Sequence, residues 1–137
     1  MFSSLVIVET AMTDTELLIS IQATTTTATC PKCGAESGRY HSSYLRYVQD
    51  TPIGLFLVWL QLKVRRFRCA NQNCKQQTFA EQQLDLVDRR RRRTKRLLSN
   101  LVQVGLALGG AAGARLAGRL RMGASASTLL RLLHQLE

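Results

Sequence analysis

Cys30-Pro31-Lys32-Cys33-Gly34 and Cys69-Ala70-Asn71-Gln72-Asn73-Cys74 bracket the segment that sets the architecture of this chain. They hold all four cysteines, in two close pairs separated by a long insert. Zinc takes four ligands in a tetrahedron, and thiolates suit it. Two tight turns with two sulfurs each can therefore meet on one ion and join distant segments. Gly34 permits the left-handed backbone that aims amides at sulfur, and Pro31 stiffens the same turn. A disulfide reading needs an oxidising compartment, for which the sequence offers no signal peptide. A single redox dithiol leaves the second pair unexplained. The expectation is one structural zinc ion on Cys30, Cys33, Cys69 and Cys74. An open catalytic position is not expected with four thiolates available, and His41 is placed on a neighbouring strand.

Charge points to the partner. Nineteen Lys and Arg against nine Asp and Glu give a net charge of +10 on 137 residues, which implies a polyanion, nucleic acid before membrane. The hydrophobic fraction of 45% is that of a globular chain. Eleven of the basic residues lie between Arg89 and Leu136, a stretch with no acid. Its uncharged interval between Arg96 and Arg115 is at the lower limit for a membrane span. Ser99, Asn100, Gln103 and the Gly109-Gly110 pair within it favour a soluble, cytoplasmic, nucleoid-associated protein.

Upstream of the first cysteine pair, Leu5 to Val8 and the alternating Glu16 to Gln22 predict strands, with Leu17, Ile19 and Ile21 on one side. The threonines at 24–27 predict extended chain. Arg39 to Val48 predicts another strand, followed by turn chemistry at Asp50-Thr51-Pro52-Ile53-Gly54. Leu55 to Arg68 is the strongest strand pattern: Phe56, Val58, Leu60, Leu62 and Val64 form one face, with Gln61, Lys63 and Arg65 opposite. Lys63, Arg65, Arg66 and Arg68, next to Cys69, are candidate phosphate contacts, with a solvated strand face as the alternative. Thr78-Phe79 predicts a last short strand, and Gln82 to Asp88 a linker.

The block Arg89, Arg90, Arg91, Arg92, Arg93, Thr94, Lys95, Arg96 is too dense to be buried and predicts the start of a helix lying on a phosphate backbone, with a solubilising surface or a nuclear localisation signal as the alternatives. Leu97, Leu101, Val104 and Leu108 continue it at helical spacing, and Gly109-Gly110 is expected to stop it. A second helix is expected over Ala112 to Leu120, with Arg115 outward. Ser125 is a good N-cap for a third, Ala126 to Leu136, with Leu129, Leu132, Leu133 and Leu136 inward. That layout predicts a helix-turn-helix, whose last helix would offer Ser125, Ser127, Thr128 and Arg131 to DNA. An ordinary three-helix bundle is the competing reading. The expected fold class is α+β, with a zinc-ribbon-like β module over residues 1–82 and a basic three-helix module over residues 83–137.

With these pieces in place, the chain resembles the N-terminal region of the ISL-three family of bacterial transposases. The likeness rests on Cys30-Pro31-Lys32-Cys33-Gly34, His41-Ser42-Ser43-Tyr44, Asp50-Thr51-Pro52 and Val64-Arg65-Arg66-Phe67-Arg68-Cys69. Cys74, Phe79-Ala80-Glu81, Arg92 to Leu97, Gly105 to Ala117, Ser125 and Thr128 to Arg131 continue it. Ser43, Thr51, Ile53 and Ala111 depart from the family's usual residues. The resemblance implies a zinc finger and a helix-turn-helix that bind double-stranded DNA at the ends of a mobile element. The family's catalytic domain, with its metal-holding carboxylates, is not matched, and the nine acidic residues are scattered. No catalytic residue, small-molecule substrate or membrane partner is therefore expected. The expected role is a truncated transposase or accessory protein in transposition, with a full-length transposase or a second copy as candidate partner. The alternatives are a repressor of such a transposase and a zinc-ribbon RNA- or protein-interaction module.

Overall fold

The structure, a computed structural model, describes residues 4–136. Seven strands precede two helices. The strands are β1 (Leu5–Met12), β2 (Glu16–Ala23), β3 (Ala28–Thr29), β4 (Glu36–Ser37), β5 (Tyr40–Ile53), β6 (Phe56–Arg68) and β7 (Thr78–Ala80). The helices are α1 (Lys95–Arg119) and α2 (Ala126–His134). The fold is mixed α+β.

Strand β6 is the spine. One of its edges pairs antiparallel with β5, from Tyr40↔Phe67 to Ile53↔Phe56. The other edge is shared: Leu57 to Lys63 pairs parallel with β2, and Arg66 to Arg68 pairs antiparallel with β7. Strand β1 pairs antiparallel with β2 and closes the order β1-β2-β6-β5. The expected period-two pattern is present: Val58, Leu60, Leu62 and Val64 are buried with Ile21 and Val48. Leu86 and Val87 cover this face and are themselves buried. The segment expected as a linker therefore supplies core residues, a role its two apolar side chains can fill only after the chain has doubled back. The threonines at 24–27 lie outside the strands. Asp50-Thr51-Pro52-Ile53, expected as a turn, continues β5 through a register shift between Asp50 and Ile53, and the turn falls at Gly54-Leu55. Proline is tolerated there because a bulge needs no donor.

The helical part differs from expectation more. Two helices form, not three. The arginine block is not helical: Arg89 to Arg93 run as turn and bridge, Arg90 has φ 66°, and α1 begins at Lys95. The reason is local. Thr94 is the N-cap, its side chain accepting from the Leu97 amide. Around it the Gln49 amide donates to the Arg92 carbonyl at 2.8 Å, and the Thr94 amide donates to the Gln49 carbonyl at 2.9 Å. Gly109-Gly110 breaks α1 without ending it. Gly109 alone is non-helical, at φ 77° and ψ −165°, a region open essentially to glycine. Gly109→Ala is expected to destabilise the chain by about 1–3 kcal/mol, measured as a shift in urea midpoint; no shift would mean the break is not required.

Leu97, Leu101, Ala117 and Met122 form a second core with Leu129 and Leu132 of α2. Gly113 makes room for Leu129: a Cβ there would lie 2.8 Å from the Leu129 Cδ1. By length and composition α1 could cross a membrane; it is broken at Gly109 and packs on α2. Leu108, Leu116, Leu120 and Leu136 are exposed, not inward. Helix α2 stops at His134 with Gln135 as C-cap, which leaves Leu136 beyond it.

Candidate metal centre and nucleic-acid interface

The first cysteine turn is the hairpin loop between β3 and β4, which pair through Ala28↔Ser37 and Thr29↔Glu36. The Cys30 amide donates to the Ala35 carbonyl, and the Gly34 amide to the Cys30 carbonyl, both at 2.9 Å. Gly34 sits at φ 77°, as its place in the turn requires. The second turn joins β6 to β7. There the Cys69 amide donates to the Gln77 carbonyl at 2.9 Å and the Asn73 amide to the Asn71 Oδ1 at 3.0 Å. The Ser37 hydroxyl donates to the Arg68 carbonyl, tying the two turns together.

These turns bring all four sulfurs within 4.8 Å of one another. Cys33 and Cys69 are 3.5 Å apart, Cys30 and Cys74 3.9 Å. Sulfurs about 2.3 Å from a tetrahedral zinc ion are about 3.8 Å from each other, so the donor set fits. Acid–base chemistry agrees. The Ala35 backbone hydrogen bond draws the Cys33 thiol down to about 7. At Cys69 the Asn71 backbone bond acts the same way, but desolvation and the neighbouring thiols outweigh it and push the group up to about 12. Cys74 is raised likewise, against a Gln76 backbone bond. A cation held here would draw the protons from the raised Cys69 and Cys74 thiols. Cys30 is buried, and with it Phe67 and Phe79, stacked at 6.0 Å, form a small core under the site. Tyr40 meets Phe67 edge-on at 6.4 Å. His41 is exposed on β5 and contacts the Ser42 hydroxyl.

The candidate DNA contacts divide into groups. Arg65 is engaged inside the chain. Its Nε and Nη2 donate to the two Glu81 carboxylate oxygens at 2.8 and 2.9 Å, and its Nη1 donates to the Thr25 carbonyl at 2.7 Å. The guanidinium also lies 5.1 Å over the Phe67 ring. The Glu81 hydrogen bond raises the Arg65 pKa above its ordinary range. Arg66 donates to the Thr78 hydroxyl at 3.0 Å, while Lys63 and Arg68 are exposed. Arg96 is drawn onto Asp50, and Lys95 lies 3.5 Å from Asp88.

Asp50 is the residue that sequence reasoning missed. It is buried on β5, and its Oδ1 accepts from the Thr94 hydroxyl at 2.7 Å, Arg96 Nε at 2.8 Å and the Thr51 amide at 2.7 Å. Its Oδ2 takes Arg96 Nη2. Burial raises the Asp50 pKa, but the Arg96 and Thr94 hydrogen bonds and the Arg96 charge outweigh it and hold the carboxyl below its usual value. Beside it, Gln49 Nε2 donates to the Met122 carbonyl at 2.8 Å. This pair fastens the helices to the sheet. The available signal was an acid inside an otherwise basic, apolar segment.

Three of the remaining arginines, Arg91, Arg93 and Arg131, gather at α2. Arg93 Nη2 donates to the Gly123 carbonyl at 3.0 Å, ahead of the helix, and Arg91 Nη2 to Gln135 Oε1 at 3.3 Å, at its end. Burial, and then the charge of Arg131, lower the Arg93 pKa; its Nε is buried with no partner among the described residues. Ser125 caps α2, accepting from the Thr128 amide at 3.1 Å, and Arg131 Nη2 donates to the Thr128 hydroxyl at 3.3 Å. Ser125, Ser127 and Arg131 are exposed and Thr128 is half-buried. Arg89, Arg90, Arg92 and Arg115 are exposed elsewhere on the surface.

Two hairpin-borne cysteine pairs converging under a short sheet define a zinc ribbon that holds one structural zinc ion. Residues 26–74 match the zinc-finger of transposase IS204/IS1001/IS1096/IS1165, so this segment is similar to the zinc finger of that transposase family. The match covers the ribbon, and no catalytic domain is detected. No curated protein and no solved structure matches the chain.

Proposed function

We propose that the chain binds double-stranded DNA at the terminal repeats of a transposable element, as an end-recognition protein in transposition. The observation that supports this best is the arginine cluster around α2. Arg91 and Arg93 are fixed at the two ends of the helix, and Arg93 and Arg131 are held close despite like charge. A phosphate relieves that repulsion and offers these guanidiniums further acceptors. The transposase-type zinc finger fits the same role.

In this reading α2 lies in the major groove, supported by the second arm of α1 in the manner of a helix-turn-helix. Ser127 and Arg131, exposed on α2, face base edges, with Ser125 and Thr128 at its start. Exposed Arg89, Arg90, Arg92, Arg115, Lys63 and Arg68 add contacts to the backbone. Arg65, Lys95 and Arg96 hold the fold, with Arg66 tied to β7. Residues 1–82 then act mainly as the zinc-bearing platform and residues 83–137 as the reader, with Leu86 and Val87 anchoring one on the other.

The test is fluorescence anisotropy at physiological salt with zinc-loaded protein, comparing the element's end duplex with a scrambled one of equal length. Specific recognition predicts a preference of about a thousandfold. Arg131→Ala is expected to lower affinity for the end duplex by about 1–3 kcal/mol, with little change for the scrambled one. Arg92→Ala is expected to weaken both duplexes equally and flatten the salt dependence by about one ion. Equal, weak binding to both duplexes would refute end recognition.

A further inference from the structure

We propose that β1 is the pairing edge of a symmetric dimer, in which the β1 strands of two copies lie antiparallel and join two sheets into one. The inference rests on the fold and is independent of the DNA reading.

The two edges of the sheet differ. Strand β5 carries Arg46 and Pro52, and backbone from Arg92 to Thr94 is bonded against it at Gln49. Charges, proline and covering chain are the devices by which edge strands avoid pairing. Strand β1 has no proline and no covering chain among the described residues, and its single charge is Glu9. It reads Leu-Val-Ile-Val-Glu-Thr-Ala-Met, pairs only with β2 among the described residues, and exposes Val6, Ile7, Val8 and Met12. An apolar groove lined by Ile7, Ile19, Ile21, Val58 and Leu60 runs up to it.

The register on β2 indicates that the occupant is a second copy. Leu5, Ile7, Thr10 and Met12 pair with Ala23, Ile21, Ile19 and Leu17, and so share the buried side of the sheet. Val6, Glu9 and Ala11 pair with Gln22, Ser20 and Leu18 and share the other side. The register shift between Ile7 and Glu9 causes this change of parity. Turned about a two-fold axis at the strand centre, Leu5 falls opposite Met12, Val6 opposite Ala11 and Ile7 opposite Thr10. Every one of these pairs joins residues of the same side. A register one residue away sets Leu5 against Ala11 and Ile7 against Glu9, mixing sides and losing the match. The pattern is its own complement, as an isologous contact requires. The central register also keeps the two Glu9 carboxylates from facing each other.

Charge agrees. No lysine or arginine precedes Lys32, and that stretch carries Glu9, Asp14 and Glu16 in a chain of +10. Contact through β1 leaves the basic surfaces of both copies apart, whereas contact through the helical end would set arginines against arginines.

The test is sedimentation velocity of the zinc-loaded chain under reducing conditions, over dilutions from millimolar to submicromolar. The expected result is a reversible species of twice 15.3 kDa. Ile7→Lys, at a side chain 61% exposed in one copy, is expected to weaken the dimer roughly tenfold or more, with zinc content and circular dichroism unchanged. Thr10→Glu is expected to weaken it too. The combination of Ile7→Lys with Thr10→Glu is expected to restore it, because the introduced charges oppose each other across the axis. A monomer at every concentration, a dimer indifferent to Ile7→Lys, or a double variant no better than the single ones would each overturn the proposal.

Discussion

Cys30→Ser is expected to lower zinc affinity by roughly a hundredfold, since each of four ligands carries a share of a strong structural site. Cys30 is the buried ligand, in contact with the small core of Phe67 and Phe79. The damage therefore should not stop at the metal. Without the ion, two short hairpin turns have little to hold them: β3 and β4 are two residues each, and β7 is three. Strands that short do not persist alone. Chelation of the wild type is expected to give the same result, with amide exchange rising over residues 26–40 and 66–80 and less over β1, β2 and the middle of β6. Those strands keep their own core of Ile21, Leu60 and Leu62. Titration with a zinc indicator and exchange mapping measure the two effects. Unchanged protection around Phe79 after chelation would show that the ribbon folds without metal.

Asp50→Ala is expected to destabilise the chain by about 2–3 kcal/mol. That is less than for a fully enclosed pair because the Arg96 side chain is 55% exposed and recovers water, while the buried Thr94 hydroxyl loses its acceptor. The loss should concentrate at the start of α1, where Thr94 loses the group that orients it. Asp50→Asn keeps an acceptor for Thr94 and removes the charge, and so separates the two contributions. The Asp50 carboxyl is held below its usual value in the folded chain, so its stabilisation is complete above the ordinary carboxylate pKa near ~4. It is lost as pH falls through the depressed folded value. Urea midpoints of the wild type and Asp50→Asn should therefore differ most near neutrality and converge in acid. A constant difference down to the lowest accessible pH would show that the Arg96 pair is not its source.

The zinc ligands were legible because metal chemistry constrains spacing locally. Each pair lies within one turn, and four sulfurs are the number zinc needs. The buried face of β6 was equally legible, since alternation of Val58, Leu60, Leu62 and Val64 is a property of neighbouring residues. What the sequence did not reveal depends on distance. Nothing near Leu86 and Val87 says that they return to the sheet, and nothing near Asp50 says that Thr94 will arrive beside it. The arginine block misled for a related reason. Helix propensity extends α1 back through Arg89, but Thr94 is a better cap, and Gln49 holds the preceding backbone in bridge geometry. At Arg65 charge suggested an outward contact with phosphate. The structure sets it on Glu81, an acid that lies sixteen residues further on and meets it only when β7 pairs with β6.

The parallel register of β2 on β6 also bears on how quickly the chain folds. Ser20 and Gln61, hydrogen-bonded at 2.7 Å, are 41 residues apart. Bringing them together closes a long loop, and parallel pairings of this kind are slow to form. The contact between Cys33 and Cys69 spans 36 residues; it starts inside that loop and ends just beyond it. Once a metal joins the two cysteine turns, the chain still to be closed shrinks to about twenty residues, easing closure by about 0.6 kcal/mol. The metal thus serves as an early clasp for a sheet whose core its cysteines do not line. Zinc should accelerate the collapse of β2 onto β6 even though no ligand lies on either strand's paired segment.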